Sequence, residues 1–85
     1  MFRVTRAEEQ AVRLTMRLAA DGGQKTLSEL AVDEQLPEPT VAKLLGMLRR
    51  GGVVHAVRGR HGGYVLADTP EAISAGAVIR SVSGE

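Results

Sequence analysis

The stretch from Arg58 to Leu66, RGRHGGYVL, sets two arginines and a histidine among three glycines and then turns to Tyr-Val-Leu. Cations beside a glycine-rich turn can hold phosphate, which belongs either to a nucleotide or to a nucleic-acid backbone. A P-loop requires GxxxxGK[ST] between a strand and a helix, and a dinucleotide loop requires GxGxxG within a βαβ unit. GRHGGY satisfies neither and leads into a β-branched run. A hairpin tip gives each residue a place. Gly59, Gly62 and Gly63 are expected to supply the positive φ angles of a tight, twisted connection. Arg58 and Arg60 would project from a slim backbone, a form that fits a DNA minor groove, where focused negative potential favours arginine. Tyr64 is expected to pack its ring at the base of the hairpin, with its hydroxyl in reach of a phosphate. Taken alone, these residues leave a second account open, in which the arginines only solubilise a loop.

Three helices must position that tip. Thr5-Arg-Ala-Glu8 has capping-box spacing, and Ala7, Ala11, Leu14 and Leu18 follow at helical intervals, so a first helix runs to about Ala20, where DGG stops it. Glu9 stands four residues before Arg13, the favourable order for an ion pair on one helix face. A second capping box, Thr26-Leu-Ser-Glu29, opens a short helix through about Gln35, with Leu27, Leu30 and Ala31 inward and Asp33 and Glu34 towards its exposed end. Glu38 precedes a proline and is biased away from the helical region, so the third helix is expected to start at Pro39. It carries the clearest pattern in the chain, Val41, Leu44, Leu45 and Leu48 at i, i+3, i+4 and i+7, and Gly51-Gly52 ends it. Gly46 inside that helix points to close approach of another helix. VVHAV and YVLA read as the two strands flanking the glycine-rich tip, and a short fourth helix is expected from Ser74 to Val82.

Helix, helix, helix, hairpin, short helix is the order of a winged helix-turn-helix, a mainly α fold with a two-stranded wing. The helix-turn-helix would span about 26–50, the wing 53–67 and the last helix 74–82, in one domain over 1–85. The 85 residues suffice for one small core, built from aliphatic side chains because only Phe2 and Tyr64 are aromatic. The absence of cysteine excludes disulfides and thiolate metal sites within these residues. No apolar run approaches the ~20 residues of a membrane span, and the N-terminus has no apolar segment of the signal-peptide kind, so a cytoplasmic location is expected. The net charge is only +1, but between Leu36 and Gly63 five basic residues face one acidic residue, a local charge of +4. A basic middle suits a polyanionic partner. No nucleophile–base–orienter set stands out, so an enzyme is not expected, nor is a cofactor. His55 and His61 have no cysteine and no well-spaced third ligand beside them and read as surface or DNA-facing residues.

The segments MFRVTRAEEQAVRLTMRLA, LPEPTVAKLLGMLRRGGVVHAVRGRHGGYVLA and TPEAISAGAVIRSVSGE resemble the Rrf-two (Rrf2) family of bacterial winged-helix repressors. The family includes regulators responding to iron–sulfur clusters, nitric oxide and cysteine metabolism. The resemblance implies a transcriptional regulator, acting as a repressor, whose partner is double-stranded DNA. It assigns sequence reading to Glu38, Pro39, Thr40, Ala42 and Lys43 on the third helix and to Arg58 and Arg60 on the wing, and His61, Gly62, Gly63 and Tyr64 beside them are further candidates for DNA contact. Thr5, at the first helix start, is a further candidate for a phosphate. Arg49 and Arg50, at the far end of the third helix, read as backbone contacts or solvated charges. A protein-interaction module on the same fold is the rival reading.

Members of that family carry three cysteines after the fourth helix and a long C-terminal helix that crosses to a partner subunit. These 85 residues contain neither, so the sensor is not carried over to them. They are expected to be the DNA-binding part of a longer regulator or a short member of the family. A homodimer reading a palindrome is possible but weakened without the long helix. Ile73, Val78, Ile79 and Val82 are then expected to form a weak dimer contact or an exposed apolar strip.

Overall fold

The structure is a computed structural model and describes residues 4–20, 23–60 and 62–83. Its elements are α1 (Arg6–Ala20), α2 (Leu27–Glu34), α3 (Glu38–Arg50), β1 (Val54–Val57), β2 (Gly63–Leu66), a 3-10 turn over Pro70–Ala72 and α4 (Ala75–Val82). This is a winged helix: a three-helix body, a two-stranded antiparallel wing and a short closing helix.

Local chemistry sets most boundaries. Thr5 and Glu8 form the expected capping box, with Glu8 N donating to Thr5 Oγ1 at 3.1 Å and Thr5 N donating to Glu8 Oε1 at 3.0 Å. Thr26 and Glu29 repeat it on α2 at 3.1 and 2.8 Å. Ser74 caps α4 by accepting from Ala77 N at 3.0 Å. Helix α3 ends in a Schellman motif: Val53 N donates to Leu48 O at 2.9 Å, Gly52 N donates to Arg49 O at 3.1 Å, and Gly52 takes φ +78°. Helix α2 ends in the same way, with Leu36 N on Ala31 O at 3.0 Å, but its left-handed residue is Gln35, at φ 55°.

Helix α3 starts at Glu38, one residue before the expected Pro39. Pro37 is the extended N-cap, and Val41 N closes the first turn on Pro37 O at 3.1 Å, which draws Glu38 into the helix. The proline costs nothing there, because its missing N–H would have been unpaired in a first turn.

The core joins the four helices and β1. Ala11, Leu14 and Leu18 of α1, Leu30 and Ala31 of α2, and Val41, Leu44, Leu45 and Leu48 of α3 are buried together with Val53, Val54, Val78 and Val82. Full burial contributes roughly 1.5–3 kcal/mol for each of the larger side chains. Two expectations fail here. Val78 and Val82 are 3% and 8% exposed and belong to this core, while Ile73 and Ile79 are half-buried, so the four form no exposed strip. Helix α4 turns that face onto α1 and α3. Gly46 is not a helix contact either, since a Cβ there would meet only an Arg50 terminal nitrogen, at 3.6 Å. The close approach occurs at Gly51, where a Cβ would lie 1.9 Å from Ser81 Oγ.

Charges tie α1 to α2. Arg13 Nε donates to Glu34 Oε1 at 3.0 Å and Arg17 Nε to Glu34 Oε2 at 2.9 Å. Arg13 therefore reaches across to α2 instead of pairing with Glu9. Glu34, expected towards an exposed end, has a side chain only 4% exposed. Burial alone would raise its carboxyl pKa, but the two guanidinium hydrogen bonds and their charges together outweigh that, and the pKa falls below the ordinary value.

Candidate nucleic-acid interface

The buried stripe of α3 leaves its other side free. Glu38, Pro39, Ala42 and Lys43 are exposed and Thr40 is half-buried, so the start of the helix presents a short row of differing chemistry: a carboxylate, a hydroxyl, a methyl and an ammonium. Glu38 is oriented from outside its own helix. Ser28 Oγ donates to Glu38 Oε2 at 2.9 Å, joining the first turn of α2 to the first turn of α3. Arg49 and Arg50, in the last turn, lie about 18 Å further along the helix axis.

The wing pairs Val54 with Leu66, His55 with Val65, Ala56 with Tyr64 and Val57 with Gly63, which leaves residues 58–62 as the connection. Arg58 and Arg60 are exposed on it. The glycines act by two means. Gly59 and Gly63 adopt positive φ, +115° and +149°. Gly62, expected to do likewise, does not. Its lack of a side chain answers a close approach instead, because a Cβ would lie 2.5 Å from Val57 O. Gly62 N donates to Gly59 O at 3.1 Å, which tightens the turn. His61 lies outside the described residues. His55 is exposed on β1, and among the described residues no three His, Asp or Glu side chains gather as a metal site.

The wing is anchored at a place that the sequence did not suggest. Lys25, between α1 and α2, forms an antiparallel bridge with Tyr64: Tyr64 N donates to Lys25 O at 2.7 Å and Lys25 N to Tyr64 O at 3.1 Å. Gly63 makes the approach possible, since a Cβ there would lie 2.6 Å from Lys25 O. The Lys25 ammonium is paired with Asp33 of α2. Tyr64 packs against the core, but it does so one strand pair from the tip, opposite Ala56, and not at the base of the wing as expected. A groove of about 400 Å³ lies where the wing faces the start of α2, lined by Thr26, Leu27, Gly59, Arg60 and Tyr64 among others.

The first turn of α2 is thus the hinge of the arrangement. Thr26 follows the bridge that fixes the wing, and Ser28 fixes the start of α3. Ser28 and Lys25 were not singled out from sequence; Ser28 sits inside a capping box, which already explained its neighbours. Thr5 stands apart, capping the start of α1. Its hydroxyl oxygen accepts from Glu8 N, so what remains for a phosphate is the hydroxyl hydrogen.

Three helices with a wing, a polar row at the start of the third helix and arginines on the wing define a winged helix-turn-helix. The comparisons identify its kind. A model of the Rrf2 family, described as an iron-dependent transcriptional regulator, matches residues 4–85. The HTH-type transcriptional regulator CymR of Bacillus subtilis is 40% identical over 62 residues, covering 73% of this chain and 45% of that protein. The HTH-type transcriptional repressor NsrR of Streptomyces coelicolor is 37% identical over 87 residues, covering 99% of this chain and 59% of its own length. The solved structure of CymR, the global cysteine regulator of B. subtilis, superposes with a TM-score of 0.90 at 32% identity, over 100% of this chain and 67% of that one. The chain belongs to the Rrf2 family of transcriptional regulators. It spans about half the length of the curated relatives it matches. The iron of the family's description finds no donor set in these residues, which include no cysteine and, among those described, no metal-like cluster.

Proposed function

We propose that this domain binds double-stranded DNA sequence-specifically and represses transcription by occupying a promoter. The observation that carries the reading is the pair of contacts at and just before the start of α2, Ser28 with Glu38 and Lys25 with Tyr64, which tie the start of α3 and the wing to neighbouring positions of the chain. A duplex lying across that stretch meets both. The start of α3 enters the major groove, as the N-terminal residues of recognition helices do. Lys43 donates to guanine O6 or N7, Glu38 accepts from cytosine N4 through the oxygen that Ser28 leaves free, and Thr40 and the Ala42 methyl lie against a base edge or thymine methyl. Pro39 adds bulk without a further donor. Arg58 and Arg60 enter the minor groove on a turn that Gly62 and Gly63 keep tight and anchored, with the Tyr64 hydroxyl and Thr5 taking phosphates. His61 sits between the wing arginine and glycines in sequence and belongs to the same contact. A homodimer would place two such surfaces about 34 Å apart on a palindrome.

Duplexes selected from a random pool supply the target, and titrations against salt then test the residues. Alanine at Arg58, Arg60 or Lys43 lowers affinity and flattens the salt dependence by about one unit per lost phosphate contact, or relaxes one base position where the contact is to a base. Binding unchanged in all three variants at every salt concentration refutes the assignment. A parent domain with no duplex affinity at moderate salt would favour the protein-interaction reading of the fold.

A further inference from the structure

At the opposite end of α3 from the proposed DNA contact, the helix meets α4. A groove of about 450 Å³ runs between them. Met47, Ala77 and Ser81 are half-buried along its floor, and Arg50, Gly51 and Arg80 are exposed at its edges. The approach of Gly51 to Ser81 holds the two helices together there, and Ser81 turns its hydroxyl back onto Ala77 O at 2.8 Å, so the hydroxyl is already committed.

The two arginines are held alike. Arg50 follows Gly46 by four residues and Arg80 follows Gly76 by four, and a Cβ on those glycines would lie 3.6 Å and 3.1 Å from the respective guanidinium nitrogens. Each guanidinium lies back along its own helix over a bare glycine. Among the described residues, neither has a hydrogen bond or ion pair and no Asp or Glu lines the groove. A cation in a helix's last turn complements the dipole. That does not account for two cations from different helices edging one groove beside Met47 and Ala77.

We propose that this groove binds a carboxylate-rich, partly apolar segment of a partner protein. Arginine matches a carboxylate with two parallel hydrogen bonds, which favours an acidic chain. Met47 is an adaptable apolar contact for a side chain between the acids, a role a phosphodiester backbone would leave unused. The site is about 18 Å along α3 from Glu38, at the far end of the helix from the residues proposed to read bases.

The test uses a fluorescein-labelled peptide, acetyl-ELEELE-amide, with acetyl-QLQQLQ-amide as its neutral counterpart, and anisotropy titration of the 85-residue chain. The chain is expected to bind the acidic peptide and not the neutral one. Arg50→Gln and Arg80→Gln, exposed substitutions whose melting is checked against the parent, each weaken it at least about fivefold, and Lys43→Ala leaves it unchanged. No binding of the acidic peptide at millimolar concentration, or equal binding by parent and both arginine variants, overturns the proposal. So does a result in which the arginine variants lose only duplex affinity and salt dependence, which would make the groove a phosphate contact.

Discussion

Ser28 holds Glu38 from a neighbouring helix, through one hydroxyl at 2.9 Å from Oε2. Both residues are exposed, so the bond adds little to stability. In the proposed DNA complex, what it fixes is which carboxylate oxygen remains to meet a base. Ser28→Ala is therefore expected to leave the melting temperature nearly unchanged, within the change of about 0.5 kcal/mol typical of surface substitutions, while broadening base preference at one position. Glu38→Gln should relax the same position by about 1–3 kcal/mol. Binding to a panel of single-base variants of the selected duplex checks both. If neither substitution changes any position, Glu38 is a helix-start charge and nothing more.

Two of the wing glycines, Gly59 and Gly63, should not respond equally to alanine. At Gly59 the φ of +115° strains any other residue, but a Cβ finds nothing within 4 Å, so the cost is the backbone strain of about 1–2 kcal/mol. At Gly63 the same strain is joined by a Cβ 2.6 Å from Lys25 O, a backbone atom that can yield only by breaking the bridge to Tyr64. Gly63→Ala is expected to be the more destabilising by at least about 1 kcal/mol, and to lower DNA affinity by releasing the wing. Denaturant unfolding of the two variants side by side decides it; equal losses would mean that the bridge contributes nothing.

That bridge also marks where sequence reasoning stopped. The caps at Thr5 and Thr26, the Gly51-Gly52 stop and the four buried positions of α3 are local patterns, and each was legible because cause and effect lie within one or two turns. The short strand contact at Lys25 has no such pattern: one residue, flanked by polar neighbours, pairs with a partner 39 positions away. Glu34 is similar, since its acceptor role depends on arginines 17 and 21 residues earlier, and its own neighbourhood reads as a polar helix end. The inward face of α4 was misjudged for the same reason. Nothing near Val78 and Val82 announces that α1 and α3 will cover them. The wing arginines and the row at the start of α3 were named from the sequence, but what orients them, Ser28 and Lys25, comes from the fold.

Gln35 is the one described non-glycine residue with positive φ, at 55°. It occupies the left-handed position of the turn between the two helices of the helix-turn-helix, where glycine carries no Cβ penalty. Its side chain is exposed, so nothing in the core is lost on removing it. Gln35→Gly is expected to stabilise the domain by about 0.5–1 kcal/mol, net of the extra freedom glycine gives the unfolded chain, or roughly 2–8 °C in melting temperature. DNA affinity should not change. A lower melting temperature would show that the Gln35 side chain makes a contact worth more than the strain.

Glu34 gives the fold a dependence on acid. Its carboxyl is held below the ordinary value, 4.5, because the Arg13 and Arg17 guanidiniums outweigh the cost of its burial. A group with a depressed folded pKa stabilises the native state fully above its unfolded pKa, and that contribution is lost as pH falls through the folded value. The expected loss therefore begins near pH 4.5 and deepens below it, and neutral pH leaves the clamp intact. Glu34→Gln removes the titrating group while keeping its shape. It should cost about 1–3 kcal/mol at pH 7, where charged hydrogen bonds are replaced by weaker ones, and flatten the acid limb of the stability curve. The two arginines are 62% and 39% exposed and can return to water, so replacing both by alanine should be worse than Glu34→Gln, because it leaves a nearly buried carboxylate unpaired. Urea unfolding at intervals from pH 7 to pH 3 separates the three chains. A parent and a Glu34→Gln variant with parallel curves would show that the acid response comes from other carboxylates.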